Sequence, residues 1–173
     1  EVATHGWVLD GQGHAMHKSL GNVIEPQTII KSHGAEILRL WAASQDFTED
    51  LRISKDMLER LSDSYRKIRN TFRYQLSNLY DFDPTKHAVA DGSLTGLDRW
   101  ILGEFAAMEA DVARAYEQYE FHVVYQRVAQ FTAVELSAIY HDVVKDRLYT
   151  DPANSARRRS TQTALHRMIT GLC

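Results

Sequence analysis

The sequence predicts a mainly α-helical fold, an antiparallel helical bundle preceded by a small β-hairpin, a loop and a short-helix connecting region. Three observations predict it. From Ser54 onward, apolar residues recur at steps of three and four, which is the period of a helix with one buried face. The three prolines fall outside these periodic stretches. The residues before Ser54 carry several glycines and β-prone residues around an Asp-Gly turn.

The segment before the bundle is predicted to form a hairpin, a mobile loop and two short helices. Val2 to Leu9 is β-prone, and Asp10-Gly11 is a typical hairpin turn. Flanking glycines and small polar residues predict an exposed, mobile loop after that turn. Pro26 suits the first turn of a helix that ends near Gly34. The apolar residues between Ala35 and Ala43 predict a second short helix.

Four helices are predicted for the bundle. The first begins at Ser54, a suitable N-cap, and carries one apolar stripe over about seven turns. That stripe consists of Met57, Leu61, Tyr65, Ile68, Phe72, Leu76 and Leu79. A second helix carries a stripe from Leu97 to Tyr119, and a third, from about Phe121 to Lys145, is predicted to be the most buried. A fourth begins near Asn154 or Ser155.

Several side chains of functional types are assigned to packing or to the solvated surface. Trp100, Phe105 and Tyr119 fall on the stripe of the second helix, so we predict that they pack in the core. The run Arg157-Arg158-Arg159 is predicted to be solvated, although cations are unfavourable at a helix start. The sulfur-containing side chains predicted to fill core space are Met57, Met108 and Met168.

Composition and charge exclude several classes of protein. Charged residues at 25% and aromatic residues at 10% are typical of a globular chain and not of a disordered one. The single cysteine, Cys173, excludes a disulfide framework and a cysteine metal site, and it fits the cytoplasm. No apolar run approaches the roughly 20 residues of a membrane helix. Residues 55–80 carry six basic and three acidic side chains, whereas residues 81–126 carry three and nine, so the net charge hides a segregated pattern.

One glycine-bounded loop carries the clearest chemical signal. A lysine on such a loop is a suitable ligand for phosphate, because its ammonium is a compact charge with three donors. Closed over a nucleotide, the loop would stabilise charge that develops on a leaving group. The usual phosphate-loop, dinucleotide and zinc-protease motifs are missing from the sequence, and its eight histidines form no metal-ligand pattern. The loop reads Gly13-His14-Ala15-Met16-His17-Lys18-Ser19-Leu20-Gly21-Asn22.

This loop resembles the Lys-Met-Ser-Lys-Ser signature of class I aminoacyl-tRNA synthetases, followed by the Leu-Gly-Asn of the isoleucine, valine and leucine group. Further stretches resemble the isoleucyl-tRNA synthetases in particular, in the same order along nearly the whole chain. They are residues 34–44, 50–54, 64–73, 97–102, 135–140 and 145–149. The resemblance implies the signature loop and connecting region in residues 1–53. It implies the anticodon-binding helical bundle in residues 54–173, truncated at its C-terminal end.

The resemblance also implies the site residues of the loop. The five signature positions fall on Ala15, Met16, His17, Lys18 and Ser19, so the first lysine and the first serine of the family are replaced. Lys18 carries over as the catalytic residue that stabilises pyrophosphate-like charge. Met16, His17, Lys18 and Ser19 carry over as the ATP-binding loop. Lys18 alone then supplies fixed positive charge, because Ala15 has none and His17 has it only when protonated.

A basic strip on the first long helix is predicted to hold tRNA. Arg66, Arg69 and Arg73 lie at steps of three and four on one face, and Asn70 lies beside them. Guanidinium groups on such a face contact phosphates or stack on unpaired bases. The alternative is pairing within the helix, for example Asp63 with Arg66.

The resemblance implies a cytoplasmic, monomeric ligase that uses ATP with Mg2+ to activate isoleucine and esterifies it to its tRNA. The chain lacks an initiator methionine and ends within an apolar-periodic segment, so we expect it to be a piece of a larger protein. The nucleotide-binding core and the editing domain are then expected elsewhere in that protein, and the piece alone is expected to be inactive. No metal site is predicted within it. Two alternatives are a valyl relative and a helical interaction module with no nucleic-acid role.

Overall fold

The structure, a computed structural model, describes residues 4–173, and the first residues of the predicted hairpin lie outside the described part. It confirms the mainly helical fold. No helix of the described residues is both long and apolar enough to cross a membrane. The strands are β1 (Val8–Leu9) and β2 (Leu51–Arg52). The helices are α1 (Pro26–His33), α2 (Ala35–Ala43), α3 (Lys55–Ser77), α4 (Pro84–His87), α5 (Gly96–Glu117), α6 (Phe121–Phe131), α7 (His141–Val143), α8 (Lys145–Tyr149) and α9 (Ala156–Leu172), and a π-helical turn, Thr132–Tyr140, joins α6 to α7.

The chain forms two compact units. The first unit comprises the residues up to 66 together with 113–126, and the second comprises 67–112 together with 127–173. The long helices α3 and α5 contribute residues to both units.

In the first unit, a parallel strand pair ties the front of the chain to the segment before α3. β1 pairs with β2 so that Val8 lies opposite Leu51. The predicted hairpin is reduced to a single antiparallel bridge between Leu9 and Ala15. The reason is local: the Asp10 carboxylate accepts hydrogen bonds from two backbone amides of the turn, so these amides are not available to a regular return strand.

Helices α1 and α2 form the core of this unit together with the segment around β2 and the start of α3. Both begin where the sequence predicts, and Gly34 between them has φ +90°, a conformation that mainly glycine adopts. Trp41 Nε1 donates to the carbonyl oxygen of Arg52 at 3.1 Å, which fixes β2 against α2. The buried apolar side chains are Ile29, Ile37, Trp41, Leu51, Ile53, Leu58 and Leu61.

Helix α3 begins as predicted, because the Ser54 hydroxyl accepts from the amide of Met57 at 3.3 Å. Its predicted apolar stripe is only partly right. Leu61 is buried, but Leu76 is 59% exposed. The buried positions in the second half of the helix are polar, because each has a hydrogen-bond partner inside the second unit. They are Thr71 and Gln75, followed by Asn78 directly after the end of the helix.

Helix α9 is deeply buried in the second unit, in contrast to the prediction that the third bundle helix would be the most buried. Every residue from Arg158 to Leu165 is buried. The segment from α6 to α7 instead leaves Val134, Ile139 and Val143 exposed. Met108 and Met168 lie in the core of this unit as predicted, while Met57 is half-buried.

A buried carboxylate connects α5 to α9. Asp98 is fully buried and accepts hydrogen bonds from the hydroxyls of Tyr140 and Thr95, both at 2.7 Å, and of Ser160 at 2.5 Å. The Arg147 guanidinium lies 3.4 Å away and balances the charge. Burial, together with the charge of Asp98, raises the pKa of Tyr140 well above its ordinary value, so its hydroxyl stays protonated and donates. This network gives hydrogen-bond partners to the polar residues at the start of α9 and a countercharge to Asp98, so this part of the fold can be buried.

The arginine run 157–159 is not solvated as predicted. Arg158 and Arg159 are 5% and 8% exposed, and they lie 3.0 and 3.5 Å from the Asp81 carboxylate. Burial alone would raise the pKa of Asp81, but the hydrogen bond from Gln162 and the two guanidinium charges outweigh it and lower that pKa. The ionised carboxylate therefore offsets part of the positive charge of Arg158 and Arg159 at the start of α9.

Two of the three aromatic residues assigned to the core lie elsewhere. Phe105 is buried as predicted, but Trp100 is 37% and Tyr119 59% exposed. Helix α5 ends at Glu117, so Tyr119 no longer follows the apolar stripe. Tyr119 has φ +60°, and its ring packs edge-on against Phe121 at 6.2 Å between centroids.

Candidate functional site

The predicted signature loop follows β1 after a short turn and has a defined hydrogen-bonded shape. Its tip is a short 3₁₀ turn, Lys18–Leu20, which ends at Gly21 with φ +66°. The amide of Leu20 donates to the carbonyl of His17 at 3.0 Å, and the amide of Gly21 to the carbonyl of Lys18 at 3.2 Å. A glycine is required at the end of this turn because few other residues adopt that backbone conformation.

Two side chains, Asp10 and Asn22, hold the two ends of the loop together. Asn22 Nδ2 donates to Asp10 Oδ2 at 2.9 Å and to the carbonyl oxygen of Ala15 at 3.1 Å, while Asn22 Oδ1 accepts from the amide of His17 at 2.9 Å. Asp10 Oδ1 accepts from the backbone amides two and four residues further on, at 3.0 and 2.8 Å. The hydrogen bond from Asn22, followed by these amides, lowers the pKa of Asp10, so its carboxylate is ionised at neutral pH.

The predicted ATP-binding residues divide into three exposed ones and one anchor. His17, Lys18 and Ser19 are exposed, and no ion pair within residues 4–173 involves the Lys18 ammonium. Met16 packs against the core of the first unit, and its sulfur accepts from the amide of Ile24 at 3.5 Å. The loop therefore presents a free cation beside a fixed apolar residue.

The residues predicted to bind tRNA are all exposed on α3. Arg66 forms the alternative pair, with its guanidinium 3.2 Å from Asp63, and both side chains are more than half exposed. Such an exposed pair contributes little and exchanges readily for another anion. Arg69 and Arg73 form no ion pair among the described residues. They line a shallow surface, here called the arginine surface of α3, that consists of Arg69, Phe72, Arg73, Leu76 and Ser77.

Asn70 faces a separate cleft on α3, so the structure does not gather all four predicted residues into one surface. The cleft has a volume of about 500 Å³ and lies in the second unit. Its rim carries the ammonium groups of Lys67 and Lys145, the latter 2.7 Å from Asp142. The lining residues are Lys67, Asn70, Thr71, Tyr74, Ala133, Ser137, Ala138, His141 and Lys145.

The inner wall of the cleft contains a neutral histidine. Burial, with a smaller effect from the charge of Lys145, lowers the pKa of His141 to about 4. Gln75 Nε2 lies 3.4 Å from His141 Nε2, which a neutral ring can offer as an acceptor. The imidazole is therefore a structural hydrogen-bonding group at neutral pH and not a cation of the cleft.

The role of Asp10 and Asn22 was missed from the sequence. The sequence does contain a signal for this role, since Asp and Asn side chains often bond to the backbone of their own loop. Within the described residues, no group of three or more histidine, cysteine, aspartate or glutamate side chains is arranged to hold a metal ion.

Comparison with known proteins identifies relatives for most of the chain. Residues 1–54 match the family described as "tRNA synthetases class I (I, L, M and V)", and residues 98–173 match the "Anticodon-binding domain of tRNA ligase". The isoleucine–tRNA ligase of Syntrophotalea carbinolica is 54% identical over 97% of this chain, and that of Desulfotalea psychrophila is 49% identical over 99% of it. This chain spans 18% of the length of each of these relatives.

The fold is also similar to a solved structure. It matches the LeuRS of Agrobacterium radiobacter, crystallised as a LeuRS–tRNA–LeuAMS ternary complex, with a TM-score of 0.72 over 98% of this chain and 20% of that chain. At 17% sequence identity this similarity concerns the fold alone. The front segment is thus similar to class I tRNA synthetases, and nearly the whole chain shares about half of its residues with isoleucine–tRNA ligases.

Proposed function

We propose that this chain is a segment of an isoleucine–tRNA ligase, which activates isoleucine with ATP and esterifies it to its tRNA. The observation that carries the proposal is the exposed Lys18, free of any ion pair within residues 4–173, in the segment that matches class I synthetases. The high identity to isoleucine–tRNA ligases supports isoleucine as the amino acid. The chain spans about a fifth of those relatives, so the activity is assigned to the whole enzyme. A single cysteine fits a reducing compartment, the cytoplasm.

In this proposal, Lys18 stabilises the charge that develops as the isoleucine carboxylate attacks the α-phosphorus of ATP. The bond from that phosphorus to its bridging oxygen breaks, and pyrophosphate leaves with the negative charge. An ammonium aimed at the departing phosphates stabilises the transition state more than the ground state, and so raises kcat. His17 and Ser19 offer hydrogen-bond donors beside it. Mg2+ would accompany ATP and neutralise part of its phosphate charge.

We also propose that the arginine surface of α3 contacts tRNA. Arg69 and Arg73 have no internal ion-pair partner in the described part of the chain, and the exposed Leu76 gives the same surface an apolar component. Unpaired guanidiniums suit phosphates, and an apolar surface beside them suits unstacked bases. The match of residues 98–173 to an anticodon-binding domain supports tRNA binding by another part of the same chain.

The Lys18 assignment is tested in the complete synthetase by isoleucine-dependent exchange of pyrophosphate into ATP. We expect Lys18→Ala to lower kcat by about 30- to 1000-fold, equivalent to about 2–4 kcal/mol of transition-state stabilisation. Ala15→Lys is expected to change the rate only modestly, because Lys18 already supplies the fixed charge of the loop.

Equal and small effects of these two substitutions would refute the role of Lys18. The same assay with valine in place of isoleucine tests the valyl alternative. A kcat/KM that is higher for valine than for isoleucine would assign the enzyme to that alternative.

A further inference from the structure

We propose that Asn22, together with Asp10, is a positioning residue that places the Lys18 ammonium. It holds main-chain atoms of the loop through the hydrogen bonds that Asn22 forms with Asp10, Ala15 and His17, a set of contacts here called the grip. The inference rests on the proposed role of Lys18 in activation. Asn22 touches neither of the reacting molecules in this scheme. It acts through the loop backbone, one residue away from the lysine.

The grip depends first on the paired strands β1 and β2 of the first unit. The amides of Leu51 and Ile53 donate to the carbonyls of Trp7 and Leu9, at 2.7 and 3.1 Å, so β1 is fixed on β2. Asp10 follows directly and is only 8% exposed. Its position is therefore set by the strand pair and by the turn amides that it accepts, and it offers a fixed, ionised oxygen to the loop.

Asn22 transfers that fixed position to the neighbourhood of Lys18. Its Nδ2 is held by Asp10 at 2.9 Å, and its Oδ1 accepts the amide of His17 at 2.9 Å. The carbonyl of His17 is in turn held by the amide of Leu20. The main-chain N–H and C=O groups of His17, the residue before Lys18, are thus both hydrogen-bonded. The turn at the tip of the loop therefore starts from a fixed position, while the Lys18 side chain remains exposed.

The grip does not depend on the side chains at the two replaced signature positions. Asn22 bonds to the carbonyl of Ala15 and to the amide of His17, which any residue except proline would offer at position 17. Only a carboxamide supplies the two donors and the acceptor that this site uses. An aspartate in place of Asn22 would bring a second carboxylate to the place now 2.9 Å from Asp10, where like charges repel.

A double-mutant cycle in the complete synthetase tests the proposal, with pyrophosphate exchange as the assay. We expect Asn22→Ala to lower kcat by about 10- to 100-fold, because a small displacement of a catalytic group costs this much, and to leave the KM for isoleucine unchanged. In the Lys18→Ala background, the same substitution is expected to change kcat by less than about twofold, since the group that it positions is gone.

A loss of equal size in both backgrounds would overturn the proposal, because it would show that Asn22 acts on something other than Lys18. No loss in the wild-type background would overturn it as well. A wild-type enzyme without isoleucine-dependent exchange would instead refute the proposed function, so the two failures are distinguishable.

A second variant and a structural measurement guard against simple misfolding. Asn22→Asp keeps the size and the acceptor for the His17 amide, and we expect it to lose activity like Asn22→Ala. Adding Asp10→Asn restores one donor–acceptor pair and is expected to recover part of the lost kcat; no recovery would count against the pair.

Hydrogen exchange at the His17 amide is expected to accelerate in Asn22→Ala, and unchanged exchange would contradict the grip. Gln12→Ala is the matched control, because that exposed side chain takes no part in the grip.

Discussion

Gly6 marks a point where two segments of the first unit come too close for any side chain. A Cβ atom on this residue would lie 2.1 Å from the carbonyl oxygen of Glu49. The backbone has little freedom to move away, because the Gly6 amide donates to the carbonyl of Phe47 at 2.9 Å. We expect Gly6→Ala to lower the free energy of unfolding of the 173-residue chain by about 1–3 kcal/mol, measured by urea denaturation.

Gly103 provides the control for this substitution. It lies in the interior of α5, is exposed, and a Cβ atom there would meet nothing within 4 Å. Gly103→Ala is therefore expected to raise the free energy of unfolding by about 0.5–1 kcal/mol, since alanine restricts the unfolded chain and favours a helix. Unchanged stability of Gly6→Ala would show that the close approach at Glu49 is absent in solution.

Single residues differ in how far the sequence predicts them. The accessibility of Lys18 was predictable, because a lysine on a glycine-bounded loop needs only to be exposed in order to contact a ligand, and the structure leaves it exposed. Its role as a phosphate ligand is still a prediction. Asp10 and Asn22 were not predictable as a pair, because their contact joins residues twelve positions apart and depends on the path of the loop between them. Sequence periodicity reports on faces of regular elements and contains no information on such a path.

Among the elements, helix boundaries were easier to predict than helix faces. The start of α3 follows from the Ser54 cap, and α9 begins after Ser155, which also accepts from a backbone amide of its own first turn. The buried faces were harder to predict, because polar residues are buried here as well where they have hydrogen-bond partners. Gln75 is fully buried although it is not one of the apolar positions of the predicted stripe. The polar start of α9 is buried because carboxylates of distant segments, Asp81 and Asp98, lie beside it.

The packing of α3 against α7 makes stability depend on pH. The pKa of His141 is about 4 in the folded chain against 6.5 as its ordinary value, because burial disfavours the charged ring. Below pH 6.5 the unfolded chain binds a proton that the folded chain does not, so stability is complete above pH 6.5 and falls as the pH approaches 4. We expect a loss of about 3 kcal/mol over this range, from urea denaturation at several pH values.

His141→Gln isolates this contribution from those of other groups. The variant cannot take up a proton at this position, so its free energy of unfolding is expected to vary less between pH 6.5 and 4 than that of the wild type, by about the same 3 kcal/mol. An NMR titration that places the folded-state pKa of His141 near 6.5 would contradict the burial of the ring.

For the molecule as a whole, charge counted along the sequence does not describe the charge available to a partner. Residues 127–173 carry seven basic and four acidic side chains. Yet Arg147, Arg158 and Arg159 are directed at buried or half-buried carboxylates of the second unit. The guanidiniums of Arg69 and Arg73, which form no ion pair among residues 4–173, belong to residues 55–80, a segment with a similar excess of basic over acidic side chains. Only the three-dimensional pairing separates these two kinds of arginine.

The whole chain is therefore expected to bind tRNA through a small number of phosphate contacts. Fluorescence anisotropy with labelled isoleucine tRNA across a salt series measures them, because each contact releases counterions and adds about 0.7–0.9 to the slope of log K against log salt. Arg69→Ala combined with Arg73→Ala is expected to weaken binding and to reduce that slope by about one for each arginine.

Arg157→Ala is the matched control for these two arginines. Arg157 is also exposed to solvent, but its guanidinium lies 2.6 Å from the Asp151 carboxylate, so its removal is expected to leave the salt slope unchanged. Binding that does not respond to salt, or none at high micromolar protein, would favour the alternative of a helical interaction module without a nucleic-acid role.

Because Asn22 holds main-chain atoms, the identities of residues 15 and 17 can drift without distorting the turn that carries the lysine. A pattern search written around the usual lysine and serine would pass over an enzyme of this kind. A pattern that instead requires an aspartate and an asparagine twelve positions apart, with a lysine four before the asparagine, would retrieve it.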